Sequence, residues 1–128
     1  MSTIEVIQRN SVIAFTTKDG STIREILAPR NSAIQKQSLA EAVLPVGRQT
    51  QAHYHPVTEE IYYILSGLGL MAIECEVREV CAGDGIAIPP GLRHQIRNIG
   101  MQDLVFLCCC APAYEHEDTV MCTNLLDE

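Results

Sequence analysis

Short apolar runs separated by closely spaced turn signals dominate the chain. Residues 61–65, 68–73, 86–88 and 104–110 are rich in Ile, Val, Leu and Tyr. Around them lie Asp19-Gly20, Pro45-Val46-Gly47, Ser66-Gly67, Gly83-Asp84-Gly85, Pro89-Pro90-Gly91 and Asn98-Ile99-Gly100. β-Branched and aromatic side chains suit a pleated, half-buried surface, so these runs read as strands. Many short strands at regular spacing predict an all-β barrel or sandwich. Residues 38–44, SLAEAVL, are good helix formers. They are read here as a strand, because Pro45 and Gly47 close the segment and propensity is the weaker constraint. Without a repeat or a linker, residues 1–128 are expected to form a single domain.

Two segments carry chemistry. The first, residues 47–67, reads GRQTQAHYHPVTEEIYYILSG. In an extended strand alternate side chains share a face, so His53 and His55 point the same way, about 6.5–7 Å apart. Pro56-Val57-Thr58 then breaks the strand, and Glu59 and Glu60 open the next one. A carboxylate across a hairpin from two imidazoles is well placed to complete the shell of one metal ion. An H-x-H pair alone is more often two half-buried strand histidines. The second segment, residues 83–98, reads GDGIAIPPGLRHQIRN and adds a third imidazole, His94, just after a Pro-Gly turn.

Together the two segments resemble the paired motifs of the cupin superfamily. The first has the form G-x5-H-x-H-x4-E-x6-G, met by Gly47, His53, His55, Glu60 and Gly67; the second, G-x5-P-x-G-x2-H-x3-N, is met by Gly83, Pro89, Gly91, His94 and Asn98. Fifteen residues separate them, as in small single-domain bacterial cupins such as the phosphomannose isomerase-like domains. The resemblance implies a double-stranded β-helix, or jelly-roll barrel. It also implies that His53, His55, Glu60 and His94 bind one divalent transition metal. Spacing to Gly67 selects Glu60 over Glu59. Imidazoles with a carboxylate suit Fe, Mn, Ni, Co or Zn better than Ca or Mg, and four protein ligands leave coordination positions open for a substrate.

Strand alternation extends to the pocket wall. Gln49 and Gln51 fall on the side of His53 and His55, Tyr62 and Ile64 on that of Glu60, and Ile96 and Asn98 on that of His94. Gln51 and Tyr62 are therefore the candidates for orienting a substrate or a metal-bound water. Tyr54 and Tyr63 should face outward. Arg48, Arg93 and Arg97 fall opposite the ligands, and Arg24 reads as solvated. A pocket for a small dianion would use an inward arginine for bidentate binding, so decarboxylation of such a substrate is disfavoured.

Composition narrows the classes without naming a function. Nine Lys and Arg against sixteen Asp and Glu give a formal charge of −7, and no basic block is present to bind nucleic acid or an anionic membrane. No apolar stretch approaches a spanning helix. The start of the chain lacks a secretory pattern, and six Cys then suit a reducing compartment, so a cytoplasmic location is expected. Cys108-Cys109-Cys110 reads as packing. His116, in Tyr114-Glu115-His116-Glu117-Asp118, reads as part of an exposed acidic tail, and Gly67-Leu68-Gly69 as a hairpin turn rather than a phosphate loop.

The leading functional reading is a metalloenzyme acting on a small oxygenated substrate such as a sugar, enediol or carboxylate. The resemblance offers dioxygenase, isomerase or epimerase, lyase and decarboxylase chemistry, and one fold hosts all of them. The alternative is a non-catalytic module that captures a sugar or small acid through the metal. A homodimer is expected, because barrel edges need cover.

Overall fold

The computed structural model describes residues 3–126. The described residues form eleven strands: β1 (Phe15–Thr16), β2 (Thr22–Leu27), β3 (Ser38–Leu44), β4 (His53–Tyr54), β5 (Glu59–Ser66), β6 (Leu68–Ile73), β7 (Glu76–Cys81), β8 (Gly85–Ile88), β9 (His94–Asn98), β10 (Leu104–Ala111) and β11 (Val120–Met121). The only helical turns among the described residues are two 3-10 segments, Arg9–Ser11 and His116–Asp118. Each run predicted as a strand is one, and residues 38–44 form β3 despite their helix propensity. Tertiary context decides there: β3 lies between β2 and β10 and pairs with both along its length.

All pairings are antiparallel. One sheet runs β1-β2-β3-β10-β5-β8 and the other β11-β4-β9-β6-β7. The two sheets close on each other as the expected jelly roll. Alternation is clean in β5 and β10: every second residue of β5 from Glu60 to Ile64 is buried, as is every second residue of β10 from Leu104 to Cys110. Leu44, Ile64, Ile96, Leu104 and Phe106 fill the space between the sheets. The C-terminal segment is tied to β9 by the buried Gln95, whose carbonyl oxygen accepts from the backbone N–H groups of Leu125 and Leu126.

Two glycines of the motifs have conformational reasons to be glycine. Gly91 has φ +83°, a region that a side chain disfavours, and its N–H donates to the His55 carbonyl at 2.8 Å. The second motif thereby clamps the backbone of the first. Gly67 joins β5 to β6 at φ +95°, and a Cβ built there would lie 2.8 Å from the Asp103 carbonyl oxygen and 2.9 Å from Leu104 Cα. Both obstacles are backbone and neither can swing aside. Gly67→Ala should therefore lose about 2–4 kcal/mol of stability in urea unfolding, from the left-handed conformation and the clash together. An unchanged midpoint would show that the turn can relax.

Candidate metal centre

The four motif side chains converge between the two sheets. His53 and His94 are direct partners across the β4–β9 pairing, and their ring centroids are 4.3 Å apart. His55 lies one residue beyond the end of β4, in the loop that crosses to the opposite sheet. Extended geometry there stops earlier than the sequence suggests, yet both imidazoles point inward and are buried. Glu60 comes from β5 in the facing sheet. Its Oε1 lies 3.3 Å from His55 Nε2 and 3.4 Å from His94 Nε2.

Backbone carbonyls set the orientation of all three rings. His53 Nδ1 faces the Gln51 carbonyl at 2.9 Å, His55 Nδ1 the Asp118 carbonyl at 2.9 Å and His94 Nδ1 the Leu92 carbonyl at 3.0 Å. A carbonyl oxygen only accepts, so each Nδ1 carries a hydrogen, and each ring in its neutral form would offer its Nε2 lone pair to a bound ion. Glu60 Oε1 and His94 Nε2 are buried without a hydrogen-bond partner, which is costly unless another group satisfies them. One atom from each of the four residues lies within 4.8 Å of the others. Two donors about 2.1 Å from one ion can be at most about 4.2 Å apart, so movements of about half an ångström close the shell. The donor set fits one transition-metal ion.

Electrostatics in the metal-free centre follow from the same contacts. Burial alone would raise the Glu60 carboxyl, but the imidazoles of His55 and His94, 3.3 and 3.4 Å away, outweigh it and hold the group well below the ordinary carboxylate range. Burial would lower His55, and the Glu60 carboxylate more than offsets it, so His55 is raised. Burial and the neighbouring His94 lower His53.

Alternation is a mixed guide to the wall. Tyr62 lines the pocket, edge-on to His94 at 5.9 Å and packed on Phe106 at 4.7 Å. Burial raises its hydroxyl well above the ordinary value, so it stays protonated and can donate. Gln51 is a correction: its side chain is exposed and lies on an outer groove with Gln49 and Asn124. Residues 50–52 are not regular strand, and the consecutive burial of Ala52 and His53 breaks the parity that placed Gln51 inward. What Gln51 contributes is its carbonyl, to His53. Asn98 is buried but serves a turn, donating to the Leu44 and Gln102 carbonyls. No arginine lines the pocket, as alternation predicts, and Tyr63 faces outward.

Four contributors escape the sequence reading. Cys110 is opposite Glu60 in the β10–β5 register, and its thiol donates to Glu60 Oε2 at 3.3 Å; packing alone does not describe it. Burial and the adjacent Glu60 raise that thiol. The tail beyond Tyr114 is more than a solvated charge run. His116 itself is exposed, but the Asp118 carboxylate caps the Val57 and Thr58 N–H groups while the Asp118 carbonyl holds His55. Thr119, buried beside them, lies 3.4 Å from His55 Nδ1. Asp19, in a turn 34 residues before His53, brings its Oδ2 to 3.7 Å from His53 Nε2. Only its Asp-Gly turn is visible in the sequence.

The Glu60 and His55 shifts have opposite consequences for the stability of the metal-free protein. A carboxyl lowered on folding stabilises above its unfolded value of 4.5 and loses that contribution as pH falls. A histidine raised on folding stabilises below its unfolded value of 6.5 and loses that contribution as pH rises through the folded value. Metal-free protein should therefore melt highest between these values, and Glu60→Gln should flatten the fall in Tm on the acid side. An acid limb equally steep in the variant would place the responsible carboxyl elsewhere.

Comparison with known proteins agrees with this architecture. A cupin domain profile matches residues 40–110. The chain is 50% identical over 121 residues to the uncharacterized protein MJ1618 of Methanocaldococcus jannaschii, covering 93% of this chain and 97% of that one. It is 28% identical to the protein SchB of Streptomyces halstedii, over 73% of this chain and 71% of that one. Among solved structures, the Streptomyces nucleoside dehydratase Pac13 superposes with a TM-score of 0.79 at 17% identity, over 97% of this chain and 95% of that one. The polyketide cyclase RemF from Streptomyces resistomycificus gives 0.78 at 21%, over 94% and 87%. At those identities the likeness speaks for the fold alone. The family profile, spanning more than half the residues and both histidine motifs, shows that this chain belongs to the cupin family.

Proposed function

We propose that this chain is a metalloenzyme that binds one divalent transition metal through His53, His55, Glu60 and His94 and acts on a small oxygenated molecule chelated there. The observation that carries the reading is the set of three carbonyl-locked imidazoles whose ligand atoms lie within 4.8 Å of one another and of the otherwise unsatisfied Glu60 carboxylate. A bound ion of this kind supplies Lewis acidity toward a substrate oxygen. The chain's own residues supply the rest. Two sheets hold the four donors close enough that only small movements close the shell, Tyr62 offers a protonated hydroxyl to a substrate oxygen, and Ile23, Ala40 and Phe106 line an apolar wall that limits water. Relatives named as a polyketide synthase protein, a polyketide cyclase and a nucleoside dehydratase support catalysis over mere capture.

Protein purified anaerobically should carry about one equivalent of Fe, Mn, Ni, Co or Zn, and Tm should rise on metal addition. His94→Ala should abolish both effects, and the retained metal should be lost as pH falls and the imidazoles take up protons. Elemental analysis with melting curves tests this, and metal-independent melting of the wild type would refute the site. Metal binding without turnover of any chelating substrate would turn the enzyme into a binding module.

The same chain is proposed to form a homodimer through the outer face of the six-stranded sheet. Ile61, Tyr63 and Leu65 form an apolar row there and are 51%, 44% and 43% exposed, an arrangement suited to a self-complementary two-fold contact. Light scattering should return twice the 14.1 kDa chain mass, and Tyr63→Glu should return the single value. A wild-type mass of one chain overturns the proposal.

A further inference from the structure

Beside the histidines, the pocket has an unusual charge. Its lining includes three carboxylates, Asp19, Glu25 and Glu60, and no lysine or arginine. Glu60 is committed to the centre. Glu25 is matched from the rim by Arg30, whose Nε lies 2.5 Å from Glu25 Oε1. Asp19 has no such cation. Its Oδ1 is filled by the Thr17 hydroxyl at 2.5 Å, the Ser21 N–H at 3.0 Å and the Ser21 hydroxyl at 2.7 Å. Its backbone is pinned as well, since the Gln51 N–H donates to the Asp19 carbonyl at 2.7 Å. Only Oδ2 is left, and it faces His53 Nε2 from 3.7 Å, beyond hydrogen-bond length. The carboxylate is thus held by three hydrogen bonds on one oxygen, with the other on the His53 side of the pocket that Glu60 also lines.

We infer that Asp19 determines which ligand the pocket accepts: a neutral or cationic molecule bearing hydroxyl or amine donors, and not a small dicarboxylate. The inference rests on the metal reading and sharpens its substrate class. A divalent ion together with Glu60 and Asp19 is formally neutral, so the centre has no surplus positive charge to attract a dianion. A second carboxylate brought within a few ångströms of Asp19 meets direct repulsion. A hydroxyl or ammonium group at the same place gives Oδ2 the hydrogen bond that it lacks, and such a buried, preorganised acceptor discriminates sharply against ligands without a donor. The cations that would reverse this preference point elsewhere: Arg93 pairs with Glu74 at 2.7 Å, and Arg97 donates to Gln49 at 2.9 Å.

Calorimetric titration of metal-loaded protein with two probes of opposite character tests the assignment. Catechol, neutral when free, chelates as the monoanion with one proton released to buffer and one hydroxyl donor kept, and oxalate is a chelating dianion. Wild type should bind catechol more tightly than oxalate. In Asp19→Asn, catechol should weaken and oxalate should tighten, each by about tenfold. Ser21→Ala, which loosens Asp19 and keeps its charge, should weaken catechol and leave oxalate within about twofold. A merely structural Asp19 would move both probes in one direction. That result, a wild-type preference for oxalate, or loss of bound metal from Asp19→Asn, which would make Asp19 a metal ligand, overturns the inference. Metal is quantified before any probe is added, so wild type that holds none marks failure of the metal reading itself.

Discussion

Three hydrogen bonds from histidine Nδ1 atoms to backbone carbonyls organise everything else at the centre of this barrel. Each turns the far nitrogen of its ring inward, and those of His55 and His94 meet Glu60 Oε1 at 3.3 and 3.4 Å. The carbonyls belong to three separate stretches of irregular chain, at Gln51, Leu92 and Asp118. Irregular backbone is what makes them available, because a carbonyl in a regular ladder is already bonded to its neighbouring strand. The strands bring the rings together; the interruptions aim them.

The same contacts pose a conflict that a metal resolves. In its absence, one buried carboxylate must be shared between imidazoles that burial alone would keep neutral, and Glu60 and His55 are driven toward their charged forms to satisfy each other. A bound cation would replace the proton as the positive partner, so metal loading would be linked to proton release. Cys110 adds a weak donor on the other oxygen of Glu60. That bond restrains the carboxylate without offering a full charge, which keeps Oε1 free for the centre.

Around this core, the pocket is assembled from parts far apart in the chain. Asp19 enters from a turn before β2, Glu60 from β5, Cys108 and Cys110 from β10, and Tyr114 from the C-terminal segment. The acidic tail folds back so that Asp118 bridges the loop after His55. Fold membership alone leaves chemistry open, and these additions, with the four motif residues, set the lining of this pocket.

Much was legible from local pattern. Apolar runs between glycine and proline turns mark the strands, and the spacings of His53, His55, Glu60 and His94 mark the centre. Local residue order encodes both directly, through the two-residue period of a strand and the conformations that Gly67 and Gly91 permit. Parity placed Tyr62 inward and the arginines outward for the same reason. It failed at Gln51, where residues 50–52 leave regular strand and the period no longer applies. Asp19, Cys110, Asp118 and Thr119 were invisible because their roles depend on which strand ends meet across the barrel. The register of β5 with β10 and the path of the returning tail set those meetings, and both are settled by packing between residues dozens of positions apart. The sequence by itself determined the strands, the meeting of His53, His55, Glu60 and His94 in one buried cluster, and the glycine turns beside it. Only the tertiary structure decided how each imidazole is aimed and what charge the pocket shows a ligand.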